Sequence, residues 1–438
     1  MARAVGQQHK GAPLLHGGAL LFQRAREPAR EPTLGPAQQL GELLNVRGRK
    51  RVWLSRRGHI CNGRRSSRLA FASGAVVPGE RDLLIPRRAD LSVLDLALVI
   101  PLQGSAGIFG PSCELCAQLA AEEINAGEGV LARELRLWVV DGSGSPERVA
   151  DEVGGLVDAG LVDAVVGWHI SAVRQAVAPR IAGRVPYVYT ALYEGGERSP
   201  GVFMVGETPS RQLLPAMRWL NREHGVRRWS IVGNDYIWPR TTAVAARGYA
   251  GVCGGRICDE VFVPLGTRDF PRVVKRLERW RPDAVLMLLV GQDAVQFNRA
   301  FASAGLDERC WRLSTLIDEN TLLGSGADNT RRVCAAAAYF ETLITPESLA
   351  FGARYTRRFG PDAPTLNSVG ESCYEGILLL AALARRADSF DVGAVHAAAD
   401  SVSYGGPRGE VQVRDRHLDQ RIYLAQADDL EFDVVAQL

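Results

Sequence analysis

From Leu94 onward, strand-sized apolar runs alternate with segments of helical period, and this alternation restricts the fold more than any single motif does. Residues 96–102 form a continuous apolar run soon ended by Gly104, as a strand buried on both faces requires. A helix is predicted over 112–125, with Leu115, Leu119 and Ile124 towards one face, and a strand over 134–141. Ser145, Pro146 and Glu147 then supply a cap, a first-turn proline and an early acid for a helix whose inner face carries Val149, Val153 and Leu156. A strand over 164–168, a helix over 171–182 and a strand over 185–189 complete the first set.

A second set starts near Phe203. Its helices are predicted over 213–222, 241–251, 270–280 and 294–304, and its strands over 229–233, 257–263, 283–290, 311–316 and 333–340. Helices return over 346–359 and 366–387, and segments 409–413 and 420–426 alternate like an antiparallel hairpin across 414–419. The fold class is therefore α/β, with two doubly wound parallel-sheet lobes in series and right-handed crossovers.

Charge divides the chain differently. Residues 1–90 hold 17 Lys and Arg against 6 Asp and Glu, whereas the rest hold 35 against 43. The basic leader (1–92) reads as solvated Arg-rich tracts with one helix possible over 36–46, and disorder is its default expectation. Its short run 18–22 lacks the length and the following small-residue site of a secretory signal, so the expected location is cytoplasmic, with a periplasmic or cell-surface location as the alternative. An acidic body argues against nucleic acid as its partner. Eight scattered cysteines include Cys113 and Cys116 at metal-ligand spacing, but no second pair or His cluster completes a zinc site. No cofactor and no metal are expected, and Cys253 and Cys258 are read as free thiols, with a disulfide between them the alternative in an oxidising compartment.

Ligands of open parallel sheets sit beyond the carboxyl ends of the strands. The loops there are rich in Tyr, Trp, Ser and Gly, residues that offer flat apolar area and hydrogen-bonding groups to a small solute. The first lobe contributes Ser105, His169, Ser171, Tyr189, Ala191 and Tyr193; the second contributes Tyr236, Trp238, Val290, Gly291 and Asp318. Each has a structural alternative. Ser171 would serve equally as the N-cap of its helix, and Tyr189 as the last core residue of its strand. Asp235 reads as a cap for the segment after it, and the Asp318–Glu319 pair as helix N-terminal acids favoured by the macrodipole. His169 has no base-orienting partner that the sequence reveals, no Gly-x-Ser-x-Gly elbow precedes a suitable helix, and no phosphate loop is present. Solute binding without catalysis is the expectation.

Several segments give this reading a family. They are residues 117–125 (AQLAAEEIN), Val166-Gly167 followed by Ser171, Tyr193-Glu194-Gly195, residues 233–240 (GNDYIWPR), Val290-Gly291 and residues 406–413 (GPRGEVQV). In this order they resemble the type I periplasmic-binding-protein superfamily, and most closely its amide- and urea-binding branch, which includes amide-sensing regulators of amidase operons. The resemblance covers about 95–426. It implies two lobes joined by three crossing strands, placed near 204–208, 336–340 and 403–413. The lobes would span 93–205 plus 339–408 and 206–338 plus 409–438, with the ligand between them. By position, Ser171 and the loop 189–193 look like the first-lobe half of an amide site, and Tyr236, Trp238 and Val290-Gly291 like the second-lobe half. His169, Ala191 and Trp238 depart from the amide-sensor pattern and suggest a more apolar or larger solute than acetamide. The resemblance implies a small-molecule ligand, and either a regulator protein or an ABC permease as partner, with a homo-oligomer possible. The sensor reading leads here, with transport of amides, urea or branched-chain amino acids as the alternative.

Overall fold

The computed structural model describes residues 92–438; the basic leader and the helix expected over 36–46 lie outside the described residues. Two sheets organise the rest. The first contains β1 (Val93–Ile100), β2 (Glu134–Asp141), β3 (Ala164–Gly167), β4 (Tyr187–Tyr189) and β5 (Val202–Met204). These run parallel in the order β2-β1-β3-β4-β5. The second contains β6 (Arg228–Asn234), β7 (Arg256–Val263), β8 (Ala284–Leu288), β9 (Trp311–Ser314) and β10 (Val333–Ala337), parallel in the order β7-β6-β8-β9-β10. The two sets thus repeat one winding.

Every residue from Leu94 to Ile100 is buried, so both faces of β1 are covered, as its unbroken apolar run requires. Helix α1 (Gly110–Asn125) packs against α10 (Ser368–Ala387), and α2 (Pro146–Asp158) packs against α3 (Ser171–Ile181). Ser145 caps α2 as its sequence suggests, its hydroxyl accepting from the Arg148 amide. Short elements escaped the sequence reading: β5, the helices Glu319–Ser325 (α8) and Val392–Ala398 (α11), and the edge strands over 403–406, 417–419 and 431–437.

The chain's last part corrects two expectations. Segments 409–413 and 420–426 do not pair with each other. Strands β11 (Ser403–Gly406), β12 (Gly409–Arg414) and β13 (His417–Asp419) extend the first sheet, with β12 antiparallel to both neighbours and β13 lying alongside β5. Strands β14 (Tyr423–Asp428) and β15 (Glu431–Gln437) extend the second sheet, antiparallel from β10 onward. Both sheets are therefore mixed at one edge. The third crossing is not 403–413 but the short stretch 420–422, which leads from β13 to β14, and the lobe boundary expected at 409 moves there with it. The cause is register: alternation tells which face a residue takes but not which strand it will meet. The chain also passes between the two sheets over 205–208 and 338–345, which leaves 93–204 with 346–419 around the first sheet and 209–337 with 423–437 around the second.

Candidate functional site

The carboxyl ends of the two parallel sets face each other, and the loops that leave them form the interlobe cleft. Six of the sequence-predicted residues line one cavity there: His169, Ser171, Tyr189, Ala191, Tyr236 and Trp238. Trp168, Ile170, Leu192 and Leu316 complete the lining. The cavity is all but shut, with about 10 Å³ of free volume, about one water's worth against the roughly 300–1,000 Å³ usual for small-molecule sites. The lining side chains of the two lobes are drawn together across it. A wider recess of about 750 Å³, counted out into open solvent, lies between Pro346–Phe359 (α9) and loop 360–366. It is an open groove on one lobe, and the hydroxyl of Tyr355 in it is already bound to the Pro364 carbonyl.

Ser171 does not cap its helix. Ile170 occupies the N-cap position with no side-chain cap, and Ser171 is the first helical residue. Its Oγ is buried and lacks a hydrogen-bond partner of normal geometry, although it sits near enough to Tyr189 to steady that phenol. The capping alternative is thus overturned, and the hydroxyl faces the cleft beside the free amide end of α3. From the other lobe, Trp238 stands in the first turn of α5 (Ile237–Val252), is 2% exposed, and holds an unpartnered indole Nε1. Tyr236 precedes it at the N-cap, with the two rings 6.2 Å apart, and burial holds the Tyr236 phenol well above its usual pKa. Asp235 does not cap this helix but pairs with Arg240 at 2.8 Å on the surface.

His169 is committed to the scaffold. Its Nε2 meets the Tyr187 hydroxyl at 2.8 Å and its Nδ1 meets the Ile170 carbonyl at 3.3 Å. A neutral ring with its proton on Nδ1 satisfies both contacts. Burial holds its pKa down at about 3, so it is uncharged at ordinary pH. Tyr189 donates to the His169 carbonyl at 2.6 Å, which fixes the wall between β3 and β4.

Behind this wall lies a residue that the sequence reading missed. Arg174, one turn beyond Ser171 on α3, is buried between Glu194 at 2.7 Å and Glu197 at 2.9 Å. Its guanidinium also lies 5.1 Å and 5.0 Å from the Tyr189 and Tyr193 ring centres. A helical Arg usually reads as solvated; the signal lay in the acids of loop 194–197, which needed a buried cation.

The remaining predicted residues lie outside the cavity. Tyr193 is buried with its hydroxyl on His417 Nε2. Ser105 and Gly291 meet across the lobes: Gly291 has φ +45°, and a Cβ there would strike the Ser105 carbonyl. Val290 is buried, its amide bound to Asn234 Oδ1 at 2.8 Å. Asp318 caps α8, accepting from the Thr321 amide at 2.9 Å and hydroxyl at 2.7 Å, and its Oδ2 is unpartnered. Burial raises its pKa to about 6 against those hydrogen bonds.

The whole arrangement has known counterparts. A sequence profile described as periplasmic binding protein matches residues 94–431. A Leu/Ile/Val-binding protein homolog from Brucella melitensis is 25% identical over 282 residues, covering 61% of this chain and 71% of that protein. Two solved structures share the fold. One is the solute-binding protein of an ABC transporter from Rhodopseudomonas palustris BisB5, in complex with 3,4-dihydroxybenzoic acid, at TM-score 0.70, 22% identity, 79% of this chain and 97% of that one. The other is a leucine-binding protein from Thermotoga maritima, at TM-score 0.70, 19% identity, 79% of this chain and 99% of that one. The two facing lobes, the three crossings and the profile that spans them agree: this chain belongs to the periplasmic binding protein family.

Proposed function

We propose that this chain captures a small organic solute in the interlobe cleft and hands it, unchanged, to an ABC permease. One observation carries the reading. Two buried polar groups from opposite lobes line the same cavity: Trp238 Nε1, which has no hydrogen-bond partner, and Ser171 Oγ, which has none of normal geometry beside Tyr189. Leaving such donors unpaired is costly, and a solute bearing an acceptor oxygen relieves both at once. Because each lobe supplies one donor, only the closed form satisfies them, which couples binding to hinge closure.

The lining also selects the solute. Tyr189, Tyr236, Trp168 and Trp238 suit a flat or branched apolar body. No carboxylate stands among the lining residues, so a ligand ammonium would lack an anionic partner there. Asp318, an acid of the second lobe, is turned into its own helix cap. These points favour a carboxylate or amide of apolar body over an amino acid. The relatives support transport over the cytoplasmic sensor acting on a regulator, and with it a location outside the cytoplasm. His169 has both ring nitrogens engaged, which supports binding without catalysis.

A thermal-shift screen of the full chain with benzoate, 4-hydroxybenzoate, leucine, acetamide and urea tests this, followed by calorimetry on any stabilising compound. The expected result is stabilisation by at least one acid or amide, weakened in both Ser171→Ala and Trp238→Phe. Absence of any stabilisation, or affinity indifferent to both substitutions, sinks the reading.

A further inference from the structure

The three crossing segments are tied together by one buried ion cluster. Glu207 of the first accepts the Ala338 amide of the second at 2.8 Å. Gln420 of the third donates to the Val205 carbonyl of the first at 2.8 Å. Arg408, between β11 and β12, donates to the Gln420 side chain and, at 2.6 Å, to Glu371, and lies 4.0 Å from Glu207. Glu371 and Glu375 stand one turn apart on α10, both fully buried. Glu371 Oε1 has no hydrogen-bond partner, the Glu375 oxygens have none of normal geometry although the Tyr404 hydroxyl and the Arg408 amide lie nearest to them, and a Cβ on Gly406 would strike the Glu375 carboxyl.

One guanidinium thus faces three carboxyl groups in a dry interior. Among the described residues the nearest other cations, Arg421 beside Gly409 and Arg211 on the Gln420 carbonyl, are exposed to solvent, and the remaining titratable groups are uncharged or acidic. They are Tyr404 of β11, whose hydroxyl reaches the Glu375 carbonyl, Tyr339 of the second crossing, and Cys116 of α1, with Glu319 beyond Tyr339. Two negative charges in excess are not tolerated there unless the cluster holds a proton. In agreement, burial raises both Glu371 and Glu375, against the pull of Arg408.

We propose that the Arg408, Glu371, Glu375 and Glu207 cluster is a protonation-dependent latch on the hinge. With the proton held, the crossings stay bound to one another. When a carboxyl releases it to solvent, the excess charge draws water in and the crossings loosen. The cleft feels this directly. The Glu207 carbonyl accepts the Tyr193 amide at 3.0 Å, and Gly206 lies against the Ala191 carbonyl with no room for a Cβ. Solute affinity therefore falls as pH rises, a consequence that rests on the cleft-binding reading, whereas the latch itself does not.

Amide hydrogen exchange of the full chain without solute, corrected for intrinsic rates, tests the latch at about pH 6 and about pH 9, on either side of the raised carboxyl range. Peptides covering 205–208, 338–345 and 420–422 are expected to lose about tenfold in protection at the higher pH, while the β1 peptide keeps its own. Glu375→Gln, isosteric and permanently neutral, is expected to retain the low-pH protection at both values. Equal protection of the wild-type crossings at both pH values overturns the latch, and this comparison needs no variant. So does an undiminished loss in Glu375→Gln, or a loss shared by β1. Positive exchange results without any bound compound in the solute screen would leave the latch standing and remove the cleft reading.

Discussion

The first lobe and the second wind their parallel strands in the same order, yet they fix their halves of the cleft by different physics. The first lobe sets Ser171, Tyr189 and Ala191 in a polar frame: Tyr187 on His169, Tyr189 on the His169 carbonyl, and Arg174 locked between two buried glutamates. The second lobe seats Trp238 and Tyr236 at a helix start with no side-chain cap, its buried polar contact being the uncharged Asn234 amide on Asp293 and on the Val290 amide, while the Asp235–Arg240 ion pair stays at the surface. The winding decides where the loops stand, and the side chains decide how firmly.

The sharpest break of this comparison is at Arg174. Arg174→Met leaves Glu194 and Glu197 buried without their cation and is expected to cost about 3–5 kcal/mol by urea unfolding. Arg240→Ala, its surface counterpart in the second lobe, is expected to change nothing measurable. Equal losses would show that the two halves are not held differently.

Next in size is the pH dependence carried by Asp318. Its folded pKa is raised to about 6 from an ordinary value near 3.8, so the folded state favours the protonated acid. The contribution is complete below pH ~4 and is lost as pH climbs through ~6, by an amount on the order of 2–3 kcal/mol. Asp318→Asn keeps the cap and is expected to flatten that slope relative to wild type between about pH 4 and pH 7. Parallel slopes would show that Asp318 is not the group responsible.

Smaller effects separate the faces of the cleft. Trp238→Phe keeps the apolar wall but removes the indole donor, and about a tenfold loss of solute affinity is expected in calorimetry. Smallest, Ser145→Ala removes a first-lobe cap far from the cleft and should cost about 1 kcal/mol with affinity unchanged.

Much of this architecture was legible in the residues. Parallel strands buried on both faces advertise themselves as apolar runs, and β1 and β6 lie within three residues of where those runs put them. The edge strands do not. β11 includes Gly405 and Gly406, and β13 spans three residues, so neither carries a period long enough to read. The hairpin expected between 409–413 and 420–426 failed because two alternating segments look alike whichever sheet they join. For the cleft, aromatic loops pointed to Tyr236 and Trp238, while Arg174 stayed hidden because its acids lie a strand away in sequence.

Three passages between the lobes also order the chain's birth. β14 is sandwiched between β10 and β15, so the second sheet is incomplete until residues 423–437 have left the ribosome. Meanwhile β5 waits for β13 across the entire intervening lobe. Both half-built sheets expose an unpaired edge throughout translation, and contacts of such long sequence separation form slowly. A cut that removes β14 and β15 is therefore expected to leave β10 with an open edge in a lobe whose other strands are all in place.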